Sequence, residues 1–369
     1  MSAPPVNVMA RIRADVQAMH AYVVQDAQGM VKLDAMENPH RLPPALQTEL
    51  GQRLGAVALN RYPAGRINDL QQALASYAVL PEGFALTLGN GSDELISMLA
   101  LACAIPPAPS NGFKKAVVLA PVPGFVMYGM SAQLQGLDFV GVPLTADFEL
   151  DESAMLAAIA EHRPAITYLA YPNNPTANLW NDGVIEKIIQ AAAAQGGLVV
   201  MDEAYQPFAS HSYLDRLARH GHVLLLRTLS KFGLAGVRLG YLIGPSALVA
   251  EIDKVRPPYN VSVLNCEAAL FALEHQEVFE TQAHDICAQR ALIFEALAKL
   301  PQVTAFPSQA NMLLVRVPDA QKTFDGMAAR GVLVKNVSRM HPLLAQCLRL
   351  TVGTAAENRL MLTALEAAL

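Results

Sequence analysis

The chain has 369 residues, 53% of them hydrophobic and 16% charged, which is material for one large core or two apposed domains and the wrong composition for a disordered protein. A net charge of −5 leaves no basic footprint for nucleic acid or an anionic membrane. Four widely separated cysteines (Cys103, Cys266, Cys287, Cys347) form no Cys-x-x-Cys pair, so neither a disulfide framework nor a zinc site is expected.

In chain order, residues 8–22 read as a weak helix; they carry Arg11 and Arg13 but no apolar stretch of the signal-peptide kind, so a cytoplasmic protein is expected. Residues 31–39 form a short extended piece, and 44–54 an amphipathic helix with Pro44 at its start. Leu59-Asn60-Arg61-Tyr62-Pro63 is a loop with an exposed aromatic at its centre. A strand at 86–89 leads through Asn90-Gly91 into a helix opened by Ser92-Asp93-Glu94 and running to about 104. Ser92 is a good N-cap, and acids in the first turn suit the helix dipole. The same free N–H groups are also a place for a phosphate, with glycine allowing close approach. The apolar run at 95–105 stops at Pro106-Pro107 and is too short to span a bilayer.

Strands at 116–120, 140–144, 166–170, 198–201, 223–226 and 241–243 follow, with helices at 126–134 and 182–195 among them. The alternation predicts an α/β fold, a mostly parallel sheet flanked by helices. Beyond about residue 262 the texture changes. Helices at 262–275 and 278–299, a strand at 312–317, a helix at 320–330, strands at 332–335 and 347–353, and a final helix at 355–368 make a smaller α+β unit. The expected division is an N-terminal arm with part of the small domain at 1–45, a large domain at 46–275 and a C-terminal small domain at 276–369.

Asn174, Asp202 and Lys231 stand at the C-terminal ends of three of these strands, the edge of an open α/β sheet where ligands bind. Taken singly they say little: an Asn can make an Asx-turn, an Asp can cap a loop, and a Ser-Lys pair is common. Together they point to one cofactor. A desolvated lysine becomes a nucleophilic amine able to bond an aldehyde. A buried aspartate needs a cation or donor, which a protonated pyridine nitrogen supplies. Thr228, Ser230 and Arg238 are the groups expected around a phosphate. The set fits pyridoxal 5′-phosphate, with Asn174 and Tyr205 placed to reach the ring oxygen and Phe125 to stack on the ring.

The segments Leu33-Asp34-Ala35-Met36-Glu37-Asn38-Pro39, Asn60-Arg61-Tyr62-Pro63, Gly91-Ser92-Asp93-Glu94, Tyr171-Pro172-Asn173-Asn174-Pro175-Thr176, Asp202-Glu203-Ala204-Tyr205, Arg227-Thr228-Leu229-Ser230-Lys231 with Gly236-Val237-Arg238, and Leu348-Arg349-Leu350-Thr351-Val352-Gly353 resemble those of fold-type I aminotransferases, and within them the histidinol-phosphate aminotransferases. The resemblance covers nearly the whole chain. It implies that Lys231 bonds the cofactor and shuttles a proton, that Asp202 keeps the ring nitrogen protonated, and that Asn174 and Tyr205 contact the ring oxygen. It implies a phosphate site of the Ser92 and Asp93 backbone, Thr228, Ser230 and Arg238. Tyr62 is expected to reach the cofactor phosphate of a neighbouring subunit in a homodimer, and Tyr22, Lys335 and Arg349 to meet the substrate. The implied substrates are histidinol phosphate and glutamate or 2-oxoglutarate. Aromatic aminotransferases and threonine-phosphate decarboxylases share this machinery, so fold does not separate them. A regulatory module that only senses the cofactor is disfavoured, because no helix-turn-helix precedes the large domain. Three departures stand out: Lys231 to Arg238 is one residue shorter than the commonest form, Phe125 replaces a frequent tyrosine, and Lys335 replaces a frequent arginine.

Overall fold

A computed structural model describes residues 8–19, 25–104 and 115–369. Its strands are β1 (Val31–Lys32), β2 (Phe84–Gly89), β3 (Val117–Val122), β4 (Asp138–Pro143), β5 (Ile166–Ala170), β6 (Leu198–Asp202), β7 (Val223–Thr228), β8 (Gly240–Pro245), β9 (Thr304–Ala305), β10 (Met312–Arg316), β11 (Val332–Leu333), β12 (Lys335–Asn336) and β13 (Cys347–Thr351).

Seven of them form one sheet in the order β2-β8-β7-β6-β5-β3-β4. β8 runs antiparallel to both its neighbours, and every other pairing is parallel. Helices cover both faces, which is why the central strands are continuous apolar runs rather than alternating ones. Successive side chains point to opposite faces: Leu225 packs with Leu70, Ile185 and Ile189 on one side, while Leu224 and Leu226 pack with Leu95, Leu99 and Tyr128 on the other. Because β5, β6 and β7 are parallel, Asn174, Asp202 and Lys231 all emerge at one edge.

The C-terminal residues build a second core. β12, β13, β10 and β9 form an antiparallel sheet, and β1 pairs in parallel with β11. Leu33 and Met36 pack in that core with Ile286, Leu313, Leu350 and Met361, so the segment after β1 joins the C-terminal unit although it lies far away in sequence. The helix Val263–Glu274 joins the large sheet's core by packing on the helix Ala64–Tyr77, while most buried positions of Gln276–Leu297 face the second core. A capping box between Thr354 and Glu357 opens the last helix, Ala355–Glu366.

Several sequence expectations differ from what is seen. Of the helix read at 8–22, the described part is a short 3₁₀ turn (Val8–Arg11) and one helical turn (Ala14–Gln17). Helices at Ala64–Tyr77 and Glu152–His162 went unread; in the first, Leu70 and Leu74 are fully buried and Ile67 and Tyr77 pack partly against the same core, while Gly65 weakens its start. The strand read at 332–335 is two, because β11 pairs with β1 and β12 with β13. Ser92 is the first residue of the helix Ser92–Ala102 rather than its cap. The cap position is Gly91, whose φ of 79° suits glycine, and Asn90 donates its N–H to Glu94 Oε2 at 2.6 Å.

Candidate active site

A cavity of about 350 Å³ opens at the C-terminal edge of β5, β6 and β7. It is lined by Ser92, Asp93, Phe125, Tyr128, Asn174, Asp202, Tyr205, Thr228, Ser230, Lys231 and Arg238, and by Ala35 to Glu37 from the second core's side. Ten of the eleven cofactor-site residues expected from the sequence therefore meet in one place; Tyr62 does not.

Lys231 lies in the tight turn after β7 and donates from Nζ to the carbonyl of Ala35 at 3.0 Å. Burial, with help from the nearby Arg349 charge, lowers its pKa to about 8. A fraction of the amine is then neutral near neutral pH, as a nucleophile requires.

Asp202 is the last residue of β6, buried with its carboxylate facing the cavity. Oδ1 accepts the Ala204 N–H at 3.0 Å, and Oδ2 accepts the Tyr128 hydroxyl at 2.6 Å. Desolvation still raises its pKa to about 6, as expected of a buried carboxylate whose hydrogen-bond partners among the described residues are both neutral. Tyr128 escaped the sequence reading. The available signal was its spacing three residues after Phe125, in the first turn of the helix Met127–Gln135, close enough for the two rings to meet across the helix entry. The rings meet edge to face at 5.6 Å.

Thr228, Ser230, Arg238 and the start of the helix Ser92–Ala102 converge at one end of the cavity. The Thr228 and Ser230 hydroxyls lie 3.0 Å apart, Arg238 Nη1 is 3.4 Å from Ser230 Oγ, and Nη2 is 3.3 Å from Asp93 Oδ2. A side chain at Gly91 would lie 2.6 Å from Arg238 Nη2, and one at Gly240 would lie 2.7 Å from the Ser92 nitrogen. The two glycines thus leave room for the guanidinium and for backbone N–H groups at a helix start. Hydroxyls, a guanidinium and helix N–H groups are the donor set of a phosphate. A lysine amine, a carboxylate and this cup around one cavity lined by Phe125 fit pyridoxal phosphate.

Asn174 follows β5, and its Oδ1 accepts from Arg349 Nη1 at 2.8 Å, leaving the amide nitrogen as its donor. Arg349 is buried in β13 and also donates from Nη2 to the carbonyl of Asp34 at 2.8 Å. Lys335 of β12 is its cross-strand partner, so both side chains rise from the same face. Tyr22 lies outside the described residues. Tyr62 is 74% exposed and stacks on Tyr259 with ring centroids 4.3 Å apart. Among the described residues no group of acidic, His and Cys side chains is arranged to hold a metal ion, and no helix is long and apolar enough to cross a membrane.

This fold and this site are those of a class of group-transfer enzymes, and the family profile for class I and II aminotransferases matches residues 28–365: the chain belongs to that family. It is 71% identical to a histidinol-phosphate aminotransferase of Polaromonas naphthalenivorans, over 97% of this chain and 96% of the relative. It is 69% identical to one of Methylibium petroleiphilum, over 96% and 94%. In solved structures the fold recurs in the histidinol-phosphate aminotransferase of Sinorhizobium meliloti in complex with pyridoxal-5′-phosphate, at a TM-score of 0.81 and 24% identity over 97% of each chain.

Proposed function

We propose that the protein is a pyridoxal-phosphate-dependent aminotransferase that converts L-histidinol phosphate and 2-oxoglutarate reversibly to imidazole acetol phosphate and L-glutamate, a step of L-histidine biosynthesis. The observation that carries the reaction class is the cavity that Lys231 and Asp202 share with an anion cup. Support for the substrate comes from relatives of that name at about 70% identity over nearly the whole chain.

Pyridoxal phosphate, when bound, supplies an aldehyde that joins an amine and a ring that accepts the electrons released at the substrate's Cα. The backbone of Ser92 and Asp93, with Thr228, Ser230 and Arg238, would hold its phosphate. Asp202 would face the ring nitrogen as a counter-charge, Asn174 and Tyr205 would donate to the ring oxygen, and Phe125 would cover one ring face. Lys231 would serve twice: its amine would hold the cofactor's aldehyde and, when free, would be the base that takes the substrate's Cα proton. The direct check is spectroscopic. Histidinol phosphate added alone to the loaded enzyme should discharge the cofactor's absorption band, and 2-oxoglutarate should restore it; no discharge would refute the reading.

Histidinol phosphate carries a phosphate where ordinary amino acids carry a carboxylate, and glutamate carries carboxylates only. One cationic patch must accept both, and Arg349 with Lys335 and Tyr22 is the proposed patch. The Arg349 fork suits either anion, whereas Lys335 adds charge without fixed geometry. Lys335→Met should therefore slow the histidinol phosphate half-reaction by roughly tenfold, the cost of one charged contact of about 1.5 kcal/mol, and slow the glutamate half-reaction much less. Equal losses in single-turnover kinetics would reject a phosphate-selective Lys335.

The exposed Tyr62 suits a role across a homodimer interface, where it would reach the partner's cofactor phosphate. Mixing impaired Lys231→Ala and Tyr62→Phe subunits tests this. A hybrid dimer would hold one site with both defects and one with neither, so activity should recover on mixing. Without recovery, Tyr62 would have to act within its own chain.

A further inference from the structure

Asp202 is held by more than its place at the strand end. Its two carboxylate oxygens have separate donors, the Ala204 N–H at 3.0 Å and the Tyr128 hydroxyl at 2.6 Å. Tyr128 is itself fixed: it is buried, its ring stacks on Tyr168 at 4.2 Å with an interplanar angle of 7°, and Phe125 abuts its edge. The Tyr168 hydroxyl is buried and makes no hydrogen bond among the described residues. The stack therefore orients one hydroxyl, that of Tyr128, on one acceptor.

From this geometry we infer that Tyr128 is a positioning residue for the transamination. Its hydroxyl fixes the plane of the Asp202 carboxylate and withdraws charge from it, so that the proton shared between Asp202 and the cofactor's ring nitrogen stays on the nitrogen. The inference rests on the reading of Asp202 as the ring-nitrogen partner. A phenol donating to a carboxylate stabilises its ionised form. Burial and the Asp202 charge hold the Tyr128 proton on its own oxygen, since both push the phenol well above its usual range. The other groups that bear on Asp202 are the carboxylates of Asp93 and Glu203, which favour its protonation, and the neutral phenols of Tyr168 and Tyr205 close to Tyr128. Glu203 is matched by Arg227 at 2.9 Å in a buried ion pair and Asp93 by Arg238. This leaves Tyr128 as the side-chain donor on the carboxylate itself. Without it, Asp202 becomes the stronger base and draws the proton off the ring, and the ring is then a poorer electron acceptor.

The test is the ¹⁵N signal of ring-labelled pyridoxal phosphate in the loaded, full-length enzyme near pH 7.5. Wild-type protein should show the protonated-pyridine value, and Tyr128→Phe, which keeps the stack, should move it downfield toward the unprotonated value. Tyr168→Phe also keeps the stack and removes no bond to Asp202, so it should leave the signal in place. If Tyr128→Phe does not fold, 3-fluorotyrosine at 128, a stronger donor of nearly the same shape, should hold the nitrogen protonated to a higher pH than wild type. An unmoved signal in Tyr128→Phe, or no change with fluorotyrosine, would overturn the inference. Asp202→Asn run beside them separates the failures. If it leaves the nitrogen protonated, the reading of Asp202 itself is wrong; if it moves the signal and Tyr128→Phe does not, only the role of Tyr128 is wrong.

Discussion

Replacing Lys231 with alanine is expected to leave a folded protein with turnover reduced by about 10²–10⁴-fold from the lost proton transfer alone, and further because the covalent anchor for the cofactor goes with it. Folding should survive, because the one hydrogen bond removed, to the Ala35 carbonyl, lies at the wall of a cavity that water can enter. The same side chain sets a pH dependence in the wild type. Its pKa is lowered to about 8, so its neutral form increases as pH rises through that value. Capture of pyridoxal phosphate by the cofactor-free protein should therefore accelerate from pH 7 to pH 9. Stopped-flow absorbance measures the rate, and a rate flat across this range would mean that Lys231 is not the group being titrated.

Asp202→Asn should separate function from stability in opposite directions. Losing the counter-charge should lower the ring nitrogen's proton affinity by about one to three pK units, the usual effect of a close opposite charge, with Cα proton exchange slowed by about 10–10³-fold in consequence. The cofactor-free protein should meanwhile become more stable. The folded-state pKa of Asp202 is raised to about 6 from 3.8, so the native state binds the proton more tightly than the unfolded one. Wild-type stability therefore falls as pH rises from about 4 to about 6, and above pH 6 the buried charge imposes its whole penalty. Removing the charge should recover on the order of 1–3 kcal/mol at pH 8 and almost nothing at pH 4. Denaturant unfolding of the cofactor-free proteins at both pH values measures it. Equal stability of Asn and Asp proteins at pH 8 would mean that the carboxylate is already compensated without a cofactor.

The parts of the site that stand at strand ends were legible because sequence order there translates directly into space. An apolar run followed by Asp202, or by Thr228, Ser230 and Lys231, fixes both the strand and the edge to which the polar group belongs. The contributions of the 33–38 segment were not legible. The carbonyls of Ala35 and Asp34 hold Lys231 and Arg349 across 196 and 315 residues of sequence, and backbone groups leave no trace in residue type. Tyr128 was hidden for another reason, since a tyrosine on an apolar helix face reads as packing until its acceptor is seen. Lys335 and Arg349 were each readable as cations, but their adjacency depends on the register between β12 and β13. The helix Ala64–Tyr77 was missed because Gly65, Asn68 and Asp69, all poor helix formers, crowd its first turns and mask the apolar row Ile67, Leu70, Leu74 and Tyr77.

The central claim is the pairing of this machinery with a phosphorylated amino alcohol, and a steady-state comparison of kcat/KM for L-histidinol phosphate, L-phenylalanine and L-threonine phosphate, each with 2-oxoglutarate, tests it most directly. A clear preference for histidinol phosphate is expected, with transamination and no loss of carbon dioxide. A preference for phenylalanine, or decarboxylation of threonine phosphate, would contradict it.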